Sequence, residues 1–305
     1  MENTVKKTLN EGVIIGTLKD KKIDFRTSAK GNQFAMGHLI INTVNTHGVG
    51  EIKVKVMQMA TKADGTENKL YKALETINAE YKIGDTVKVL ASLESNDFYL
   101  QNEDRVVESI VPKASFITRV DAETEHYAKF KFEGFMKSVV PNEDGSAKVD
   151  MVGATYNGSA MPISLEVPKE LVNAFASKYY EGCTATLNFN LINCMITTES
   201  KEEVAFGESF GEVVTRRIRK NEVFGGMPVN EIGIDADTIR KMLNMREMEL
   251  EKKLQEGRQR VNSVTTSAPT MNVGFGDMKR TFEQPGATLG NMSNPFDGSN
   301  SSFNI

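Results

Sequence analysis

The chain has 305 residues, of which 39% are apolar and 26% charged, and its formal net charge is −4. This length corresponds to about two domains, and the composition is that of an ordinary globular protein rather than a strongly basic one. No apolar run approaches the ~18–20 residues of a membrane helix, and the N-terminal residues lack the apolar segment of a secretory signal.

The first 115 residues have the element order of an OB-fold, a five-stranded Greek-key barrel. Period-two alternation and β-branched residues predict the strands, and an apolar face with helical spacing predicts the helix. The predicted elements are strands at 12–18, 34–44 and 51–57, a helix at 70–81, and strands at 86–93 and 105–111. Other small barrels give a similar order, so the order alone does not decide the fold.

The same order recurs over residues 116–225 and predicts a second OB-like barrel. Strands are predicted at 130–137, 148–156 and 161–167, followed by a helix at 168–178 and a closing strand at 210–218. Tyr81-Lys82-Ile83-Gly84-Asp85-Thr86 matches Tyr179-Tyr180-Glu181-Gly182-Cys183-Thr184 in its Tyr, Gly and Thr. Three identities at equal spacing, at the same corner of each copy, favour an internal duplication.

The remaining chain divides into a helical segment, 226–260, and a tail, 261–305. Phe224–Pro228 is predicted as a break, after which a helix runs over 236–256. Asp235 is the candidate N-cap and Gly257 the candidate residue after the C-cap. In the tail, 25 of 45 residues are Asn, Ser, Thr, Gly or Pro. That composition predicts disorder.

Cations and aromatic rings are concentrated where an OB-fold binds nucleic acid: strands 2 and 3 and the 1–2 and 4–5 connections. Cations neutralise phosphates, and rings stack on bases for about 1–3 kcal/mol each. The candidates are Lys19, Lys21, Lys22, Phe25, Arg26, Lys30, Phe34, Lys53, Lys55 and Tyr99, with Arg216, Arg217 and Arg219 from the densest basic cluster. Alternating lysines are also typical of solubility. Phe25 and Phe34 equally fit a core, and the arginines equally fit ion pairs with nearby glutamates.

Charge differs between the two halves of the chain. Residues 1–90 have 14 Lys and Arg against 10 acids, whereas residues 116–200 have 7 against 11.

The sequence lacks a phosphate-binding GxxxxGK[ST] loop, a GxSxG elbow and an HExxH motif. Cys183 and Cys194 have no CxxC or His companion for zinc. We therefore expect a cytoplasmic protein with no catalytic residue, metal or other cofactor, and no membrane contact.

The layout of residues 10–220, with the polar tail, resembles phage-type single-stranded DNA-binding proteins. The resemblance implies that the chain binds and coats single-stranded DNA during phage replication or recombination, in the host cytoplasm. It also implies that the tail docks replication or recombination proteins. In cellular members that tail ends in acidic residues and Ile-Pro-Phe. Here the similar Asn294-Pro295-Phe296-Asp297 is not terminal, and the whole tail has three acids, Asp277, Glu283 and Asp297. The alternative is a virion or replisome adaptor whose barrels bind protein. DNA versus RNA preference and an oligomeric state stay open.

Overall fold

The computed structural model describes residues 6–200, 206 and 212–266. Its strands and helices follow the predicted duplication. The first repeat comprises β1 (Asn10–Thr27), β2 (Gln33–Asn45), β3 (Gly48–Met59), α1 (Lys69–Glu80), β4 (Thr86–Ser95), β5 (Phe98–Leu100), β6 (Arg105–Val107) and β7 (Ile110–Arg119). The second comprises β8 (Tyr127–Pro141), β9 (Ala147–Ala154), β10 (Ala160–Val167), α2 (Lys169–Ala176), β11 (Thr184–Ser200) and β12 (Glu212–Gly226), and α3 (Ala236–Thr266) follows.

Strand pairing closes each repeat into a five-stranded barrel. In the first, the antiparallel strands β1, β2 and β3 are followed by β4, which pairs with β1. β7 then pairs with β4 and, in parallel, with β3, which completes the ring. In the second, β8 to β12 repeat each of these pairings. This Greek-key closure is the OB topology, so the predicted fold class of two barrels, each with one helix, is confirmed.

The repeat extends to single hydrogen bonds. At the corner of barrel one, the Leu18 amide donates to the Asp85 carbonyl and the Gly84 amide donates to the Leu18 carbonyl. At the corner of barrel two, Met136 stands in the place of Leu18 and makes the same two bonds with Cys183 and Gly182. A register shift follows Leu18 in β1 and Met136 in β8. The residues that matched in sequence therefore hold the same backbone geometry in both copies.

The barrels share one apolar core. Alternate residues of each strand point inward, and the largest fully buried side chains include Leu18, Leu39, Phe132 and Leu165. β1 and β8 pair side by side from Asn10 to Ile15, which joins the barrels in one ten-stranded sheet. The predicted boundary between residues 115 and 116 falls inside β7, and the division into domains stays a prediction.

Helix α3 contacts both barrels through different chemistry. Its buried Met242 packs on Val152, Ala154 and Ala160 of barrel two. On barrel one, Arg246 donates to both carboxylate oxygens of Asp97, at 2.6 and 2.8 Å. The helix therefore contacts the β4–β5 connection of barrel one as well as the second barrel.

Three predicted element boundaries are wrong. Residues 105–107 pair with β5 in a separate ribbon, and the strand that closes barrel one is β7. β12 continues to Gly226, which pairs with Leu187 where a break was predicted. Gly257 does not end α3 but lies buried within it. It packs so closely against the Tyr99 ring that a Cβ at this position would collide with the ring.

The other C-terminal predictions divide between described and undescribed residues. Asp235 caps α3 as predicted, since its carboxylate accepts a 2.8 Å bond from the Thr238 amide. The helix extends to Thr266, so residues 261–266 of the predicted disordered tail are helical. Residues 267–305 lie outside the described residues. Among the described helices, none combines the length and apolar character that crossing a membrane would require.

Candidate nucleic-acid interface

The side of β1, β2 and β3 that faces away from the core forms one continuous surface. Since side chains alternate between the faces of a strand, the buried Leu39, Ile41, Val54 and Val56 leave their neighbours pointing outward. We call this surface the outer face; its residues are Asp20, Lys22, Asp24, Arg26, Phe34, Met36, His38, Ile40, Glu51, Lys53, Lys55, Met57 and Met59.

Register arranges these side chains in rows across the three strands. Lys22, His38 and Lys55 form one row, and Asp20, Ile40 and Lys53 form the next. Paired residues on one face have Cβ atoms ~4.5–5.5 Å apart. The rows therefore bring together lysines that are about 30 residues apart in sequence.

Apolar and aromatic groups occupy the other end of the outer face. Arg26, Phe34 and Met59 form a row there, next to Asp24, Met36 and Met57. Phe34 is half-buried, whereas Met36 and Met57 are exposed. A surface that combines cations with a ring and polarisable thioethers suits both the phosphates and the bases of a single strand.

Some cations of the outer face are free and others are paired. Among the described residues, Lys22 and Lys53 are exposed and form no ion pair. Lys55 lies 3.3 Å from Glu94, which is also 3.3 Å from Lys113 of β7. Arg26 bonds to Asp24 at 2.8 Å. Exposed pairs such as Arg26–Asp24 contribute little to stability, at most about 1 kcal/mol each, so a phosphate can compete for that guanidinium. The Lys55–Glu94 pair is partly buried.

His38 lies between the two free lysines. Partial burial lowers the pKa of its imidazole, and the positive charges of Lys53 and Lys22 lower it further, against the opposing effect of Asp20. Burial and the two lysines therefore favour the neutral imidazole, and the lysines give this point of the outer face a positive potential. That potential would favour an anion at this point of the outer face.

Four other predicted residues lie near the outer face but differ in their environment. Lys21 points elsewhere, because its ammonium donates to the carbonyls of Ile77, Asn78 and Tyr81 at the end of α1. Lys19 forms an ion pair with Glu51. Phe25 is 37% exposed, but its ring packs edge-on against Tyr71 of α1 at 5.6 Å. Lys30 is exposed in the β1–β2 turn.

Tyr99 lies, as predicted, in the connection between the fourth and fifth strands of barrel one, which are β4 and β7. Its side chain contacts other residues of the protein. Its hydroxyl donates to Asp104 at 2.9 Å, and its ring lies against Gly257 of α3. Arg258 of α3 also bonds to Asp104, at 2.7 Å. Helix α3 therefore covers the Tyr99 ring, which the sequence analysis named as a candidate for base stacking.

The three arginines of β12 divide between the two faces of the β11–β12 ribbon. Arg217 and Arg219 lie opposite Met195 and Asn193, whereas Arg216 lies opposite Ile196 on the other face. All three are exposed. Arg217 donates to the Asn193 side chain at 2.8 Å.

Sequence reasoning missed several outer-face residues of β2 and β3, and one residue of the adjoining strand β7. His38, Met36, Met57, Met59 and Lys113 were not among the candidates. The period-two alternation of β2 carries the signal for His38, because Leu39 and Ile41 are inward and fix the opposite parity. Lys113 had no such signal, since β7 was assigned to the wrong residues.

The face of barrel two that corresponds to the outer face has a different composition. Its equivalent rows are Ser138–Asp150–Ser164 and Val140–Lys148–Glu166. Asp150 accepts hydrogen bonds from Ser138, Ser164 and Lys148. Burial opposes the charge of Asp150, but these bonds outweigh it and hold its pKa below the ordinary value. These polar groups satisfy one another and present a neutral to acidic surface.

Comparison with known proteins assigns the chain to a family. Residues 8–256 match the sequence model of the YorF family. The chain belongs to the YorF family. A comparison with curated proteins found no match. The match covers both barrels and most of α3.

Solved structures of several organisms are similar to this YorF chain. The single-stranded DNA-binding protein of Thermus aquaticus is 15% identical, with 76% of this chain and 98% of that chain covered, at a TM-score of 0.48. That of Plasmodium falciparum, solved with single-stranded DNA, is 15% identical, with 38% and 98% covered and a TM-score of 0.28. A small one from Streptomyces coelicolor is 13% identical, with 37% and 96% covered and a TM-score of 0.26.

The described residues offer no obvious place for a metal ion. Within those ranges, no three His, Cys, Asp or Glu side chains are grouped as ligands. Cys183 and Cys194 are both buried free thiols.

Proposed function

We propose that the protein binds single-stranded DNA without catalysis, through the outer face of barrel one. The observation that carries this proposal is the row Lys22–His38–Lys55 next to the free Lys53, on an exposed face that also holds Phe34 and the methionines. Phosphates would bind the lysines, and bases would stack on the ring and thioethers. Stacking and point charges read no base edge, so sequence preference would be weak.

The biological setting forms a second part of the proposal. The protein would coat or protect single strands during replication or recombination of a phage genome, in the cytoplasm of the host. Its residues 261–305 would dock replication or recombination proteins. The polar composition of that segment supports this role, because such segments bind partners through short motifs rather than through a fold.

The direct test is fluorescence anisotropy of a labelled 30-nucleotide oligo-dT at two salt concentrations, with duplex DNA and the matching oligo-U as competitors. We expect submicromolar affinity at low salt, little competition by duplex, and a slope of log K against log salt of about −0.7 per phosphate contact. The oligo-U arm decides between DNA and RNA. No binding at tens of micromolar protein would refute the proposal.

A variant pair locates the site. K22A/K53A removes the two unpaired lysines of the outer face and should weaken binding about tenfold at 0.1 M salt, because two phosphate contacts are lost. K178A/K241A removes the same charge from exposed lysines elsewhere and should stay within twofold of wild type. Equal losses in the two variants would show that net charge, and not the outer face, determines binding.

A second candidate function is protein binding by the barrels, as in a virion or replisome adaptor. The acidic rows of barrel two favour a basic protein partner for that barrel. An absence of DNA binding together with a stable complex between the chain and a replication protein would support this function over the first.

A further inference from the structure

The β11–β12 ribbon of barrel two reaches barrel one. β11 pairs with β8 up to Asn190 and then meets β3, where Cys194 lies opposite Gly50. The Asn193 side chain donates to the Glu51 carbonyl. Within the described residues, 195–200 and 212–217 pair only with each other. We call these two segments the arm.

Pairing between β3 and β11 fixes which side of the arm continues the outer face. Residues opposite each other in an antiparallel pair lie on the same side. Gly50 and Cys194 are both buried, so they point to the core side. Asn193 and Met195 therefore point to the outer side, with Glu51 and Val49.

By the same rule, residues of β12 that lie opposite Asn193 and Met195 are on the outer side as well. Arg219 lies opposite Asn193, and Arg217 lies opposite Met195. Hydrogen bonds tie these strands together on that side, from Arg217 to the Asn193 side chain and from Asn193 to Glu51. Met195, which lies opposite Arg217, is 59% exposed. Lys53 and Arg219 are 166 residues apart in sequence and share one side of a continuous sheet.

We propose that Arg219, at the base of the arm, and Arg217, within it, extend the outer face, so that one DNA strand crosses from barrel one onto the arm. This inference rests on the proposed function and adds the course of the strand. From β1 through β2, β3 and β11 to β12 there are four interstrand steps of ~4.7–4.9 Å, or roughly 19 Å. A DNA strand of several nucleotides would span the lysine pair, Lys22 and Lys53, and the arginine pair, Arg217 and Arg219.

The arrangement predicts how losses combine. If one strand contacts both groups, each group contributes a factor to a single binding constant. R217A/R219A should then weaken binding of the 30-nucleotide oligo-dT about tenfold at 0.1 M salt, K22A/K53A about tenfold, and the quadruple variant about 100-fold. The salt slope of R217A/R219A should shrink by about 1.4, from ~0.7 per lost phosphate contact.

Arg216 provides the matched control. It is exposed on the same strand but points to the opposite side of the arm. R216A/R240A removes two arginine charges and should bind within twofold of wild type. R217K/R219K retains the charges and should bind within threefold of wild type. It also controls for the loss of the Arg217–Asn193 hydrogen bond, and circular dichroism checks the fold of every variant.

Three outcomes distinguish the hypotheses. Absence of binding by the wild type refutes the proposed function itself. Wild-type binding with equal effects of R217A/R219A and R216A/R240A overturns the inference but leaves the function standing. If each pair loses at most twofold and only the quadruple variant loses binding, the two groups bind strands independently, and the inference is again overturned.

Discussion

The two barrels have the same strand pairing and opposite charge at the same place. The parallel contact that closes barrel one joins Lys55 to Lys113, and the equivalent contact in barrel two joins Glu166 to Glu222. In barrel one, Glu94 lies between the two lysines, 3.3 Å from each. In barrel two, Lys220 lies between the two glutamates, at 3.0 and 2.6 Å.

This inversion separates what the fold needs from what a ligand needs. Either sign closes the barrel, because a single opposite charge bridges the like charges that the parallel contact brings together. Only the sign in barrel one suits phosphate. Barrel one also has four further residue pairs at the end of its first hairpin, from Asp24–Met36 to Thr27–Gln33, and these include Arg26 and Phe34. The duplicated scaffold thus has one cationic copy and one acidic copy.

The largest expected effect concerns the way in which α3 is held by the two barrels. Asp97 has a side chain that is 0% exposed and Arg246 one that is 8% exposed. Burial disfavours the Asp97 charge, but bonds from Arg246 and Lys253 outweigh burial and lower its pKa. Asp97→Ala leaves the guanidinium buried without this partner and should lower the free energy of unfolding by about 3–5 kcal/mol. Urea denaturation measures the change.

The control for this prediction is another ion pair of the same helix. Arg258 and Asp104 are both half exposed, so Arg258→Ala should cost much less than Asp97→Ala. Because the folded-state pKa of Asp97 is depressed, its contribution is present above the ordinary value of 3.8 and is lost as pH falls through the folded value. Equal costs for the two variants would mean that burial of the Asp97–Arg246 pair is irrelevant.

Inverting the charges of barrel one is the next largest test. The variant K55E/E94K/K113E gives barrel one the sign of barrel two while keeping the bridging arrangement. We expect a melting temperature within a few degrees of wild type and a loss of oligo-dT affinity of about 100-fold, because Lys55 of the outer face and Lys113 beside it become anions. The inverse variant of barrel two, E166K/K220E/E222K, should leave the affinity unreduced. Retained binding in the first variant would assign the DNA site to another surface.

Phe34 tests the part of barrel one that barrel two lacks. Phe34→Leu keeps an apolar side chain but removes the flat ring, and loss of one stacked base should weaken oligo-dT binding by about tenfold, within the ~1–3 kcal/mol range for stacking. Phe25→Leu is the control, because the Phe25 ring already packs against Tyr71. It should change affinity less than Phe34→Leu. The reverse order would place the stacking platform at the α1 side of the barrel.

Much of the fold follows from local patterns, whereas the site depends on distant pairings. Alternation in Glu51–Met57 and the repeated Tyr, Gly and Thr corners were sufficient for the order of elements and the duplication. The pairing of Cys194 with Gly50 could not be predicted, because no local signal links strands about 140 residues apart. Gly257 shows the same limit: a glycine near the end of a helix predicts a cap, and only the contact with Tyr99 shows why it lies inside.

The smallest effect we predict, and the most specific to the outer face, is a pH dependence from His38. In the free protein the pKa of His38 lies below 6.5, owing first to burial and then to Lys53 and Lys22. A bound phosphate would partly offset those charges and raise the pKa, so DNA binding takes up protons, and affinity should rise as pH falls. We expect about threefold tighter oligo-dT binding at pH 5.5 than at pH 7.5, with no such difference in His38→Gln. The equivalent residue of barrel two is Lys148 rather than a histidine. A pH dependence that persists in His38→Gln would therefore place the responsible group outside this row of the outer face.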